Sequence, residues 1–386
     1  MVNPEEIHAS LYFSHYKNDP CFQELLNSKG FIDRRNLDDS RNLEISDCKR
    51  IARAFWRAIK DQRSEHTDYS PSNEWIPIFD GSYGDAYGPL HKALSELNYD
   101  SLSKILSNFW RESCSAGILG PGFDLSPYLG CDSSFGDLCE RSWRMKQFVA
   151  EIFYRYSLFL CLTAGDISEE HLRAPNFGNQ YGFYLGSKFI PGGSDYQLYY
   201  AYRIKNIARE RFGDNTIRIC ELGSGYGGMI QYLDKLIINA RIELFDLPII
   251  LTMASANLIA SVGESSYVRA YGEFDNCNGL GGNLIRVNPC HAVEDLEAKS
   301  VDIWFNSYSL SEMSESAINR YLHHIGRTLK RGGVFLNVNH SRICRLGANH
   351  YPYAKHGMIK ESSTPTLWNL MRLGRGDEVE VLAYKD

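Results

Sequence analysis

The sequence carries no excess of positive charge. Its 386 residues include 41 lysines and arginines against 47 aspartates and glutamates, which gives a net charge of −6 at neutral pH. A nucleic-acid-binding surface would need clustered lysine and arginine side chains, and the acidic balance argues against one. We therefore expect a partner other than nucleic acid.

The chain also lacks paired cysteines and long apolar runs. Its ten cysteines lie far apart and show no C-x-x-C spacing, so they predict separate thiols of a reducing compartment and neither disulfides nor a zinc site. The most apolar stretch, residues 148–162, is interrupted by Glu151 and Arg155 and is too short to cross a membrane. The acidic N-terminus lacks the features of a signal peptide. We expect a cytoplasmic protein without membrane insertion.

The composition is ample for two domains. The chain is 44% hydrophobic and 13% aromatic, which supplies a sizeable core. Residues 1–190 are expected to form a mainly helical N-terminal domain that covers the substrate, with a glycine-rich loop at 175–194 before the next domain. The helical periodicity in this part of the chain lies at 46–60, 90–106 and 144–162.

Residues 191–386 alternate between strand-like and helical patterns. This alternation predicts an α/β, Rossmann-like domain, in which a mostly parallel twisted sheet carries helices on both faces. The predicted strands are 217–221, 242–245, 284–287, 301–306, 334–338 and, as a final edge strand, 378–384. The predicted helices are 196–211, 227–239, 248–262 and 314–329.

The strongest signal in this domain is the run Ile-Cys-Glu-Leu-Gly-Ser-Gly-Tyr-Gly-Gly at 219–228. It joins an apolar strand to an amphipathic helix, which is typical of a nucleotide-binding turn. Gly223, Gly225 and Gly227 can adopt positive φ and allow a ligand to approach the main chain. The next strand brings Asp246 to the same edge, where its carboxylate can accept both hydroxyls of a ribose.

Two ligands compete for this turn. Gly223, Gly225 and Gly228 match G-x-G-x-x-G, a pattern that alone would equally suggest NAD with Asp246 on its ribose. Glu221 favours the other ligand, because a carboxylate two residues before the first glycine gains nothing beside a pyrophosphate dianion. A cationic ligand that carries an amine and a sulfonium would fit better.

The run at 221–228 resembles the first motif of class I S-adenosylmethionine-dependent methyltransferases. Asp246-Leu247-Pro248 resembles the acidic-loop motif of their O-methyltransferase branch. A second and more specific resemblance, to the sugar O-methyltransferases typified by nanchangmycin biosynthesis, is carried by residues 301–313, 108–111, 117–120 and 177–179. It covers most of the chain from about residue 100, although Gln180 stands where the family is expected to have proline.

The resemblance implies a class I methyltransferase domain behind a helical N-terminal region, with S-adenosylmethionine as cofactor. It further implies methyl transfer to a sugar hydroxyl in the biosynthesis of a polysaccharide, another glycan or a glycosylated natural product. Because ligands of open α/β sheets bind beyond the carboxyl ends of the strands, the expected cofactor-binding residues lie after strands one to four. They are Glu221, Gly223, Gly225, Tyr226, Gly227, Asp246, Leu247, Asn288 and Asn306.

Several of these residues also have structural interpretations. Tyr226 could be core material, and Asn306, at the end of a buried strand, could tie neighbouring loops together. The acceptor hydroxyl needs a general base, which can contribute about 10²–10⁴-fold to the rate, and Glu312 and His340 are the two catalytic candidates. Glu312 could instead serve the dipole of the following helix, and His340 could be a surface histidine.

Three functional hypotheses remain open at this stage. The first is the sugar O-methyltransferase, with a small-molecule or glycan acceptor. The second is an NAD-dependent oxidoreductase or sugar epimerase, and the third is a methyltransferase-like scaffold without catalysis. We expect no metal, because no Asp-Asp or Asp-Asn pair follows strands four or five. A phenol acceptor is disfavoured, since Ser311-Glu312 stands where plant phenol O-methyltransferases have a His-Asp pair. A homo-oligomer stays open.

Overall fold

The C-terminal half of the chain folds around a mostly parallel sheet, as a computed structural model shows. The structure describes residues 42–62, 86–115, 117–118, 177–185, 188–191, 193–263, 266–273, 282–340, 347–366 and 378–386, a strand at 31–33, and isolated residues between 18 and 171.

The region before residue 191 contains helices and a small antiparallel sheet. The helices are α1 (Ile45–Asp61), α2 (Gly88–Ser95) and α3 (Tyr99–Ser107), and the strands are β1 (Phe31–Asp33), β2 (Tyr181–Leu185) and β3 (Lys188–Pro191), in the order β1-β2-β3. The predicted loop at 175–194 is therefore wrong, because part of it forms the β2–β3 hairpin. Its aromatic and branched residues suit a strand. The division into two domains near residue 190 stays a prediction.

The helix predicted at 90–106 is in fact two helices. Leu97 has a left-handed backbone with φ of 51°, and the side chain of Asn98 caps α3 by accepting the Ser101 N–H at 3.0 Å. An asparagine that caps a new helix start is a strong local signal, and the helical periodicity on both sides concealed it. The helix predicted at 46–60 is confirmed by α1. The one predicted at 144–162 lies almost entirely outside the described residues.

The main sheet has the strand order β10-β11-β9-β8-β4-β5-β7-β6. Its strands are β4 (Arg218–Leu222), β5 (Arg241–Asp246), β6 (Tyr267–Arg269), β7 (Leu284–Pro289), β8 (Val301–Ser307), β9 (Leu329–His340), β10 (Met358–Pro365) and β11 (Glu378–Lys385). The pairs from β6 to β9 are parallel, whereas β11 runs antiparallel to both β9 and β10. When the short β6 is set aside, the parallel strands follow the Rossmann order 3-2-1-4-5. The predicted Rossmann-like sheet is confirmed.

Two strands of the main sheet, β6 and β10, were not predicted from the sequence. β6 has only three residues, and β10 is exposed along its length after the buried Met358, so it shows no apolar alternation. β11 was predicted as the edge strand, and this is wrong, because β10 covers its outer side.

Helices cover both faces of the sheet. They are α4 (Ser194–Phe212), α5 (Gly228–Leu236), α6 (Pro248–Ser261) and α7 (Glu315–Thr328). One apolar cluster joins α1, α2 and α3 to α4, α5, α6 and one sheet face, and a second cluster lies between α7 and the other face. None of the described helices combines the length and the apolarity that a membrane span requires.

Two segments that carry the family resemblance clamp each other. The main-chain N–H of Trp110 donates to the Gly178 carbonyl at 3.1 Å, and Arg111 Nε donates to the Asn179 carbonyl at 2.8 Å. The Asn179 side chain returns a hydrogen bond to Asn108 Oδ1 at 3.2 Å. Residues 108–111 and 177–179 therefore act as one structural unit beside the glycine-rich turn.

Substitution of Gly178 by alanine should open this clamp. Gly178 has φ of +79°, and an added Cβ would lie 2.5 Å from Phe109 Cε1 and 2.9 Å from Trp110 Cδ1. Backbone strain and overlap together should lower the free energy of unfolding by about 2–4 kcal/mol. Gly332→Ala is the matched control, because Gly332 has φ of +75° and no neighbour within 4 Å. Urea unfolding measures the free energy of unfolding of both variants. Equal losses for Gly178→Ala and Gly332→Ala would contradict the importance of the contacts around Gly178.

Candidate functional site

The glycine-rich turn follows β4 and has the backbone that the sequence predicts. Gly223, Gly225 and Gly227 have φ of 72°, 55° and 74°. A Cβ on Gly223 would lie 2.2 Å from the Ser309 side chain, so the turn packs directly against the loop after β8. Glycine is therefore needed here both for the conformation and for the close approach of a second strand end.

Asp246 ends β5 and is held by the main chain on both sides. Its Oδ2 accepts the Gly225 N–H and its Oδ1 accepts the Leu247 N–H, each at 2.7 Å. Burial raises the pKa of Asp246 from 3.8 to about 7; these two hydrogen bonds oppose the rise, and the charge of Glu312 adds to it. Each carboxylate oxygen keeps a second lone pair that can accept from a ligand.

Glu221 lies beneath the turn with one oxygen unsatisfied. Its side chain is only 4% exposed, and Oε2 is buried without a hydrogen-bond partner among the described residues. Burial raises the pKa of Glu221 well above its ordinary value, and the nearby charge of Asp246 adds to the shift. A buried carboxylate without a partner is costly, so this position is suited to a ligand that donates hydrogen bonds or carries positive charge.

Two further predicted cofactor residues lie along the same edge. Leu247 follows Asp246 and packs partly buried against the larger apolar cluster. Asn288 lies in β7 opposite Phe245 of β5, and its Nδ2 is buried without a partner among the described residues. Asp246, Leu247, Asn288 and the glycine-rich turn therefore converge on the carboxyl ends of three adjacent strands, as predicted.

The Tyr226 side chain is buried in the protein interior. It is 3% exposed, and its ring lies 5.6 Å from the ring centroids of both Phe109 and Trp110. Its hydroxyl accepts from Gln197 Nε2 at 2.5 Å. These contacts correspond to the core interpretation of Tyr226 and link the turn to the clamp formed by residues 108–111 and 177–179.

Asn306 is fully buried and its amide is fully engaged. Nδ2 donates to the Leu222 carbonyl at 2.8 Å and to Ser309 Oγ, while Oδ1 accepts from Asn339 Nδ2 at 2.8 Å. The side chain therefore leaves no donor for a ligand. The contacts correspond to the alternative in which Asn306 ties neighbouring loops together.

Glu312 belongs to a 3₁₀ turn, Leu310–Glu312, after β8. Its Oε2 accepts a hydrogen bond from Trp75 Nε1 at 2.7 Å. The following helix α7 is capped by Ser314, whose hydroxyl accepts from the Ala317 N–H at 3.2 Å. The cap of α7 is thus provided without Glu312, whose carboxylate points to the N-terminal region.

His340 ends β9 in a different environment. It is partly buried, its Nδ1 has no partner among the described residues, and its ring centroid lies 5.2 Å from that of Tyr308. Tyr308 in turn donates its hydroxyl to Glu378. The two predicted base candidates have different neighbours: the charge of Glu312 acts on Asp246, and the His340 ring packs against Tyr308.

The N-terminal region contacts the loops of this edge at several points. Tyr69 donates to Glu294 Oε1 at 2.8 Å beyond β7, and Trp75 bonds to Glu312 beyond β8. Burial raises the pKa of Tyr87, and the charge of Asp246 adds to the rise. Sequence reasoning did not assign Trp75 or Tyr308 to the site, since their partners lie far away in the chain. Within the described residues no group of three or more His, Cys, Asp or Glu could hold a metal ion.

The raised pKa of Asp246 predicts a pH-dependent stability. The Asp246 carboxyl has a pKa of about 7 in the folded state against an ordinary value of 3.8, so folding favours its protonated form. Ionisation of Asp246 therefore does not lower the folding stability below about pH 4, lowers it increasingly up to about pH 7, and lowers it by a constant amount above that. The melting temperature of Asp246→Asn minus that of wild type should therefore be larger at about pH 8 than at about pH 5. The difference in melting temperature between Glu221→Gln and wild type should also increase with pH. An equal difference from wild type at both pH values would contradict the prediction.

No protein-family model and no curated protein matches this sequence. Solved structures with a similar fold include a geranyl diphosphate C-methyltransferase from Streptomyces coelicolor, with 11% identity and a TM-score of 0.35 over 48% of this chain and 79% of that one. A TehB-like SAM-dependent methyltransferase from Corynebacterium glutamicum has 16% identity and a TM-score of 0.33, over 50% and 98%. Phosphoethanolamine N-methyltransferase 2 from Haemonchus contortus has 14% identity and a TM-score of 0.31, over 48% and 52%.

Proposed function

We propose that the protein is an S-adenosylmethionine-dependent O-methyltransferase that methylates a sugar hydroxyl. The observation that carries the proposal is the pair of carboxylates at the glycine-rich turn. Asp246 is anchored with free lone pairs at the end of β5, and Glu221 has a buried oxygen without a partner. Together they place two buried carboxyl groups with acceptor oxygens at the glycine-rich turn.

This arrangement suits S-adenosylmethionine in four respects. The Asp246 carboxylate would accept the ribose hydroxyls, and Glu221 would face the positively charged methionine end. The left-handed glycines at 223 and 225 let the main chain approach the ligand closely. Asn288 offers a buried amide donor beyond β7, where the adenine would lie.

The same charges disfavour NAD. Its pyrophosphate would lie close to Glu221, while Glu312 already adds negative charge near Asp246. Anions are favoured at a helix N-terminus when main-chain N–H groups face them without competing carboxylates. We therefore prefer the methyl donor to the nicotinamide cofactor, and the oxidoreductase stays the alternative.

The chain's own residues would position the acceptor and remove its proton. Bound S-adenosylmethionine supplies an activated methyl group, so positioning of the acceptor can account for up to about 7–11 kcal/mol of the barrier. A sugar hydroxyl is a poor nucleophile, and a base can add about 10²–10⁴-fold. Glu312 and His340 both lie at the carboxyl ends of adjacent strands, β8 and β9. The choice of a sugar rests on the family resemblance and on aromatic side chains such as Trp75 near this edge.

Calorimetric titration with S-adenosylhomocysteine and, in parallel, with NAD⁺ tests the cofactor. We expect micromolar binding of the former only. Asp246→Ala removes two hydrogen bonds to a charged group, about 1.5–3 kcal/mol each, and should weaken binding by at least about 100-fold. The matched control is Asp302→Ala, since Asp302 is also buried but lies in β8 near its amino end, where it pairs with Lys330. Binding of NAD⁺ alone would overturn the proposal.

Methyl transfer itself can be tested with methyl-tritiated S-adenosylmethionine and a panel of free and nucleotide-linked hexoses. His340→Asn or Glu312→Gln should lower turnover by about 10²–10⁴-fold if the residue is the base, because proton removal then falls to solvent. Binding of S-adenosylhomocysteine should persist in both variants. A wild-type protein that binds the cofactor but methylates no acceptor in the panel would favour the scaffold hypothesis.

A further inference from the structure

Tyr308 directly follows β8 in a backbone conformation that is unusual for a bulky residue. Its φ is 63°, in the left-handed region that residues other than glycine, asparagine and aspartate seldom adopt. Its main-chain N–H donates to the Val338 carbonyl of β9 at 2.8 Å. Strained residues of this kind persist only where the surroundings hold them, and they cluster at functional sites.

The Tyr308 side chain is fixed by three different elements. Its hydroxyl donates to the carboxylate of Glu378 in β11, and its ring lies 6.0 Å from the ring of Tyr196 in α4. Tyr196 is itself held by a 2.6 Å hydrogen bond to Ser307 Oγ. The Tyr308 ring also packs against His340 of β9, with 5.2 Å between the ring centroids and an interplanar angle of 52°.

Among the described residues, no hydrogen bond to Nδ1 orients the His340 ring. A functional histidine is normally oriented by a hydrogen bond that its second ring nitrogen donates, often to a carboxylate or a main-chain carbonyl. Here Nδ1 of His340 is buried without a partner among the described residues. Glu378 pairs directly with His340 across β9 and β11, but its carboxylate accepts from Tyr308 instead. Among the described residues, the ring that packs against the imidazole is that of Tyr308.

We propose that Tyr308 is a positioning residue that holds His340 in the orientation needed to take the proton of the acceptor hydroxyl. The inference rests on the proposed methyl transfer. In that step the hydroxyl O–H bond breaks and its proton goes to a ring nitrogen of His340, which becomes imidazolium. The oxygen forms its bond to the methyl carbon as the carbon–sulfur bond breaks, and the sulfur keeps the electron pair.

The test compares Tyr308→Leu, which removes the ring, with Tyr308→Phe, which keeps it. With methyl-tritiated S-adenosylmethionine and the hexose panel, the leucine variant should lose about 100-fold in kcat, because a displaced catalytic group costs about that much. Its Kd for S-adenosylhomocysteine should stay at the wild-type value. The phenylalanine variant should recover most of the loss in kcat.

A double-variant cycle separates positioning from a general structural effect. In a His340→Asn background, Tyr308→Leu should cause no further loss of kcat, since Tyr308 acts only through His340. Tyr202→Leu serves as the control, because Tyr202 is a buried tyrosine further along α4 that bonds to Asp166. It should lower the melting temperature without changing kcat. Independent, multiplicative losses for Tyr308 and His340 would overturn the proposal.

An NMR readout keeps this test independent of turnover. The Cε1–H signal of His340 should be single and shifted by the tyrosine ring current in wild type, retained in Tyr308→Phe, and moved toward free histidine in Tyr308→Leu. If wild type methylates no acceptor but the signal behaves in this way, the proposed function fails while the contact stands. An unchanged signal in Tyr308→Leu would refute the positioning role, whatever the activity.

Discussion

The arrangement of the site depends on one carboxylate, that of Asp246. It accepts the main-chain N–H groups of Gly225 and Leu247, at 2.7 Å each, and so joins the turn after β4 to the end of β5. Hydrogen bonds to a charged acceptor contribute about 1.5–3 kcal/mol each. Because Leu247 also precedes α6, the same two bonds fix the turn, the strand end and the start of the helix relative to one another.

On the other side of β4, a buried network of asparagines fixes the ends of β8 and β9 relative to each other. Asn306 of β8 bonds to Asn339 of β9, which accepts the Ser311 N–H at 3.1 Å and donates to Asn337 Oδ1 at 2.5 Å. Asn337 continues the network to the Tyr353 hydroxyl at 3.0 Å. Buried polar networks of this kind are stable only when their members are satisfied. This one holds the loop that carries Tyr308 and Glu312 against the end of β9.

The part of the site that could be predicted is the part encoded locally. Glycines that need positive φ and an acid at the end of the next strand leave a signature within 28 residues, so Glu221, Gly225 and Asp246 were identified from the pattern. Trp75 was not, because its partner Glu312 lies 237 residues away. The same holds for Tyr308, since its partner Glu378 lies 70 residues away. For the fold, β10 was missed because an exposed polar strand has no apolar period, whereas the buried parallel strands are recognisable as runs of apolar residues.

The carboxylates of this site place an electrostatic constraint on what can bind. Burial raises the pKa of Asp246 to about 7, and the charge of Glu312 adds to the rise. Burial also raises the pKa of Glu221 well above its ordinary range, and the charge of Asp246 adds to that shift. A ligand that brings positive charge and hydroxyl donors favours the ionised forms, because it replaces the water that burial removed. An anionic ligand would raise these pKa values further and would bind only to protonated acids. In their ionised forms these acids favour a cationic cofactor over NAD.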